Sequence, residues 1–192
     1  MFNREKAEEA VRSLLEAFGE DVNREGLRET PRRVVGYWEE LLEGNQYTNA
    51  QIAKKYGKCF TVSSDPLVVK QVKDVYSHCE HHLALMYNMV VTVAYIPVRE
   101  ADGYKVIGLS KIPRIVDLCA KRLQLQEKLA ADISECISLA TGSNDVYVNI
   151  VADHACVSAR GAKSDGITDV THLSGMFIGN AVLRDEVERK VR

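Results

Sequence analysis

His78-Cys79-Glu80-His81-His82 places three of the chain's five histidines and one of its five cysteines within five residues, and His154-Ala155-Cys156 adds a second such pair about 75 positions later. Cys79 and His82 have C-x-x-H spacing, which lets a thiolate and an imidazole reach one ion from a single turn. Cys156 can close the set from an opposite strand. Three donors of this borderline softness suit zinc and leave its fourth tetrahedral position for water. His81 beside His82, and His154 two residues before Cys156, can then face that position as proton carriers. Imidazole ionises in the same range near neutral pH to which zinc brings water. A sealed structural site is the competing arrangement, with His78, His81 or His154 as the fourth ligand. The spare histidines favour the open arrangement, because sealed sites are typically built from paired C-x-x-C-type hooks. His78-Cys79-Glu80 also satisfies the H-x-E half of the zinc deaminase signature, but the chain has no P-C-x-x-C to supply the other ligands.

The remaining composition limits what such a site can serve. The chain has 192 residues, of which 46% are hydrophobic and 27% charged, as in an ordinary globular protein. Its 25 Lys and Arg stand against 27 Asp and Glu, a formal charge of −2 that disfavours nucleic-acid binding driven by net charge. No run approaches the length of about 18 apolar residues that a membrane span needs. The charged start, Asn3-Arg4-Glu5-Lys6, is unlike an apolar signal region. The expected place is the cytoplasm, where Cys59, Cys119 and Cys136 are thiols serving as small apolar filler.

Elements that could position the two clusters follow from the periodicity. Val11, Leu14, Leu15 and Phe18 lie at helical spacing, and Thr30 before Pro31 reads as an N-cap opening a second helix that runs through Trp38 to Gly44. Residues 44 to 65 read as a connection. From Pro66 the pattern turns strand-like, with strands on either side of Cys79. Helical spacing resumes near Ser110 and continues to Gly142, with a break expected near Arg122-Leu123-Gln124 because about 30 residues is long for one globular helix. Asn144 to Val151 reads as a strand, Cys156 to Ala162 as its partner, and Met176 onward as a terminal helix. This β-β-α-α-β-β order suits an antiparallel α+β layer fold. The expected organisation is a helical N-terminal arm and connection over residues 1–65 and a catalytic domain over residues 66–192.

Several stretches resemble the GTP cyclohydrolase I family: Cys79-Glu80-His81-His82, Val93-Ala94-Tyr95-Ile96-Pro97, Ile107-Gly108-Leu109-Ser110-Lys111, Arg114-Ile115-Val116, Gln124-Leu125-Gln126-Glu127, and Cys156-Val157-Ser158-Ala159-Arg160-Gly161 preceded by His154. Thr30-Pro31-Arg32-Arg33-Val34 resembles the family's T-P-x-R-V element. The motifs occur in family order. The resemblance implies a T-fold, an antiparallel four-stranded sheet with two helices on one face, assembled as a homodecamer of two stacked pentamers. It also implies Zn²⁺ on Cys79, His82 and Cys156, GTP as substrate, and formate and 7,8-dihydroneopterin triphosphate as products, the first step of folate and pterin biosynthesis.

By the same resemblance His154 is the proton donor, His81 assists, and Ser110 acts near the ribose. Gln126 and Glu127 match substrate-binding positions, and Glu127 reads the guanine edge, which calls for an acceptor facing N1–H and the 2-amino group. Lys111, Arg114, Arg160 and Arg33 match the cations that hold the triphosphate. Two stretches depart from the family. The Pro-Phe-x-Gly turn that often follows the second histidine is replaced by Ala84-Leu85-Met86-Tyr87-Asn88-Met89, and residues 164–171 lack the usual Ser/Thr-rich run. The hairpin beyond the metal ligands is therefore expected to differ.

Overall fold

In the computed structural model, which describes residues 2–191, the β-branched runs flanking Cys79 form the two longest strands, β2 (Val68–Cys79) and β3 (Leu85–Tyr95). They pair antiparallel from Val68 opposite Tyr95 to His78 opposite Leu85. β3 pairs antiparallel with β7 (Val146–His154), and β7 with β8 (Thr168–Leu173). The two-residue strand β6 (Leu123–Gln124) adds to the far edge, parallel to β2, with Cys79 opposite Gln124. The class is thus mixed α+β. Its main sheet has five strands in the order β6-β2-β3-β7-β8, where four were expected. A second sheet, absent from the sequence reading, orders β1 (Cys59–Val62), β5 (Gly103–Ile107) and β4 (Val98–Glu100) as β1-β5-β4.

The expected break in the long helical pattern is where β6 lies, between α4 (Lys111–Ala120) and α5 (Gln126–Thr141). Gly142 ends α5 at φ 78°, the left-handed conformation that a residue without Cβ adopts at little cost. Ile115, Val116, Leu129 and Ile133 of these helices share one core with Met89, Val91 and Val93 of β3 and Val148 and Ile150 of β7. Cys119 and Cys136 are buried in that core, and Cys59 is half-buried against it.

Three expectations need correction. Residues 44–65 are more than a connection: they hold a 3₁₀ turn (Glu43–Gln46), α3 (Asn49–Tyr56) and β1. α3 is too short to show a period, but its capping box was present in the sequence. Thr48 Oγ1 accepts the Gln51 N–H at 3.2 Å, and Gln51 Oε1 accepts the Thr48 N–H at 2.8 Å. Second, the partner of β7 is β8 and not residues 156–162. The chain leaves β7 through one helical turn, α6 (Ala155–Ser158), in which Ser158 Oγ donates to the His154 carbonyl at 3.1 Å. Third, α2 (Thr30–Leu41) includes Thr30, and Glu29 stands at its N-cap. α1 (Arg4–Ala17) precedes it, and the terminal helical region is divided into α7 (Met176–Gly179) and α8 (Ala181–Val191).

A buried polar network ties residues 44–49 to α5. Arg122 donates to the carbonyls of Gly44 and Tyr47 at 3.2 and 2.9 Å, to Asn49 Oδ1 at 2.8 Å and to Asp132 Oδ2 at 3.1 Å. Asp132 also accepts from Gln124, Lys128 and Asn49. Asp132 keeps Lys128, Gln124 and Asn49 when Arg122 is removed, but the Tyr47 carbonyl and Asn49 Oδ1 lose their donor, so Arg122→Ala is expected to cost about 1–3 kcal/mol in urea unfolding. Burial pushes the Asp132 carboxyl up, but the hydrogen bonds from Lys128, Gln124 and Asn49 outweigh it and hold the group below the ordinary carboxylate range. A depressed folded value stabilises above the unfolded value of about 3.9 and is lost as pH falls through the folded one. Asp132→Asn should therefore flatten the acid limb of stability against pH below about pH 4, measured by denaturant titration.

Candidate metal centre

The hairpin tip between β2 and β3 carries the first cluster. Leu83 N–H donates to the Cys79 carbonyl at 2.9 Å, and Cys79 N–H to the Ala84 carbonyl at 2.8 Å. This closed turn puts residues three apart on one side, as C-x-x-H spacing requires. Leu83 completes it at φ 54°, a conformation that costs a residue with a Cβ about 1–2 kcal/mol. Cys156 enters from α6, at the end of β7.

Cys79 Sγ, one ring nitrogen of His82 and Cys156 Sγ all lie within 4.8 Å of one another, with Cys79 Sγ 3.9 Å from His82 Nδ1. Donors about 2.3 Å (sulfur) and 2.0–2.1 Å (nitrogen) from a tetrahedral ion stand about 3.5–3.8 Å apart, so small rotations would suffice to bind one. The chemistry of the set agrees. Burial, and then the neighbouring Cys79 sulfur, push the Cys156 thiol up, as expected for two thiols whose joint ionisation calls for a cation between them. These three residues can hold a metal ion.

The surroundings of the three donors are unequal. Arg160 Nη1 lies 3.3 Å from His82 Nε2, which brings one predicted phosphate-binding cation to the rim. His154, half-buried, has Nε2 2.6 Å from Gln126 Oε1. Burial holds His154 below the ordinary imidazole value, opposed by the negative charges of Glu127 and Asp153. Glu127 is exposed in the first turn of α5. His81 is exposed beside His82, with ring centroids 6.3 Å apart.

The model of the family described as GTP cyclohydrolase I matches residues 7–192. The chain belongs to the GTP cyclohydrolase I family. Among its relatives, the GTP cyclohydrolase 1 of Clostridium beijerinckii is 45% identical over 94% of this chain and 93% of its own length. That of Ruminiclostridium cellulolyticum is 47% identical over 91% of each chain, and that of Clostridium acetobutylicum 44% identical over 88% of each.

Against the GTP cyclohydrolase I motifs, one chain gathers Cys79, His82 and Cys156 with Arg160 on His82, and holds His154, two residues before Cys156, against Gln126, with Glu127 close enough for its charge to act on His154. It does not gather the rest. Ser110 stands at the N-cap of α4, Lys111 and Arg114 lie in its first turn, and Arg33 is exposed on α2. Among the described residues, none of these four side chains hydrogen-bonds or ion-pairs with the metal group.

Two features escaped the sequence reading. His78, buried before Cys79, has Nε2 2.8 Å from Tyr37 Oη and lies 4.7 Å, ring to ring, from Trp38. Helix α2 is thereby anchored to the strand end that carries the ligand. Nothing in the spacing of these residues signalled it. In the departed hairpin, Asn88 adopts φ 50° and donates to Asp153 Oδ2 at 2.7 Å. Asn is the residue other than Gly that takes this conformation most readily, a signal that was legible in the missing glycine.

Proposed function

We propose that this chain is a zinc-dependent GTP cyclohydrolase I, which hydrolyses GTP at guanine C8, releases formate and forms 7,8-dihydroneopterin triphosphate in folate and pterin synthesis. The observation that carries this reading is the convergence of Cys79, His82 and Cys156 from two distant segments, with His154 two residues before Cys156, in a member of that family. Zinc held by these three donors supplies a Lewis acid that brings the ionisation of water towards neutral pH.

The chain's own residues carry the remaining steps. Glu127 accepts from guanine N1–H and the 2-amino group, orienting C8 towards the metal group. Lys111, Arg114, Arg160 and Arg33 hold the triphosphate, whose charge a chain of net −2 attracts only through local convergence of cations. His154 delivers a proton to the imidazole-ring nitrogen as its bond to C8 breaks, and His81 assists from the hairpin tip. Ser110 contacts the ribose, which opens after formate departs. The new six-membered ring closes after an Amadori-type rearrangement.

The T-fold catalytic domain is assigned to residues 66–192 and the helical arm and connection, which ends in β1, to residues 1–65. The assembly is a decamer of two stacked pentamers, and light scattering at working concentration should give ten times the chain mass. No helix among the described residues is long and apolar enough to cross a membrane, and all five thiols are free, which supports a cytoplasmic setting. Incubation with GTP should release formate and a product that becomes a fluorescent pterin on oxidation, both abolished by a chelator and restored by zinc. Zinc-loaded protein that yields neither would overturn the assignment.

A further inference from the structure

Gln126 is 2% exposed, and its side-chain amide is almost fully engaged within the chain. Nε2 donates to the Ile150 carbonyl at 2.7 Å and to the Thr168 carbonyl at 3.0 Å. Both acceptors are backbone groups of neighbouring strands, β7 and β8. Turning the amide over would aim its oxygen at two carbonyl oxygens, so the sheet itself dictates which end faces where. Oε1 consequently faces His154, 2.6 Å from Nε2. A carbonyl oxygen only accepts, so the hydrogen in that contact belongs to the histidine.

We infer that Gln126 is a positioning residue that holds His154 as its Nε2–H tautomer, so that the exchangeable proton of the reaction passes through Nδ1. The inference rests on the proposed role of His154 as proton donor, and it changes the part expected of Gln126. With both N–H groups committed to the sheet, the amide has no donor left to read a base. Glu127, next along the first turn of α5, remains free for that task. The first turn of α5 thus places two neighbours on different duties, one side chain turned into the sheet to orient the histidine and one turned outward to the substrate. Supporting partners of this kind set tautomer and ring orientation, and their loss elsewhere lowers activity about 10–100-fold.

The test is a double-mutant cycle on the zinc-loaded full chain, with a spectroscopic readout that does not depend on turnover. Gln126→Leu is expected to lower kcat for formate release about 10–100-fold with KM for GTP within about twofold. In the His154→Ala background the same change should alter kcat by less than about twofold, because the group through which it acts is gone. An undiminished loss in that background, or a loss confined to KM, overturns the inference. Solid-state ¹⁵N spectra of histidine-labelled protein, assigned with His154→Ala, should show His154 protonated at Nε2. Gln126→Leu, which removes the acceptor, should mix the tautomers. A wild-type His154 protonated at Nδ1 overturns the inference even if Gln126→Leu fails to fold. If the wild-type chain does not turn over GTP, the functional reading fails while the spectrum still decides the tautomer.

Discussion

Cys156→Ser should fold, lose its zinc and stop releasing formate from GTP. Serine differs from cysteine by one atom, and Cys156 is only partly buried, at the start of a single helical turn that its side chain does not cap. The substitution therefore leaves β7 and the core beneath it intact. What it removes is the donor from the second segment. A neutral hydroxyl at pH 7 is a hard, weak ligand for zinc, and Cys79 and His82 then remain as a two-donor hook on one hairpin tip. Losing one thiolate should weaken zinc binding on the order of a thousandfold, measured by competition with a coloured chelator, and formate release should fall at least as far. Stoichiometric zinc at wild-type affinity in this variant would mean that the ion is held elsewhere.

His154→Ala should separate binding from chemistry. His154 lies outside the mutually close donor group, so the variant is expected to keep one zinc per chain and an unfolding midpoint close to that of the wild type. Removal of a positioned proton donor typically costs about 10²–10⁴ in rate, and kcat should fall within that range while KM for GTP stays nearly constant. GTP recognition rests on Glu127 and the cations, which the substitution does not touch. Loss of zinc together with activity would instead assign His154 to the ion as a fourth ligand, and the site would be sealed. The two variants thus give opposite patterns, metal and rate lost together in one and rate alone in the other.

Much of the site was legible because its chemistry depends on residue type and short spacing. C-x-x-H needs only one closed turn to bring its two side chains together, and the hairpin tip from Cys79 to Leu83 is that turn. The break between α4 and α5 was legible for a similar local reason, the length of an uninterrupted helical period. Short elements fared worse. α3 has eight residues and β6 two, lengths at which neither period repeats often enough to be recognised. The strand expected at residues 156–162 failed because proximity in sequence suggested a partner for β7, whereas pairing is decided across the sheet.

By itself the amino-acid order determined the family, the three donor residues and the strands flanking Cys79, since each rests on side-chain identity or on periodicity within about a dozen residues. Only the tertiary structure decided which partners those residues keep. The Tyr37–His78 anchor spans 41 positions, the Arg122 network reaches back 78, and Gln126 meets His154 across 28. Such contacts depend on register and on which end of an amide two backbone carbonyls will accept, and neither leaves a pattern along the chain.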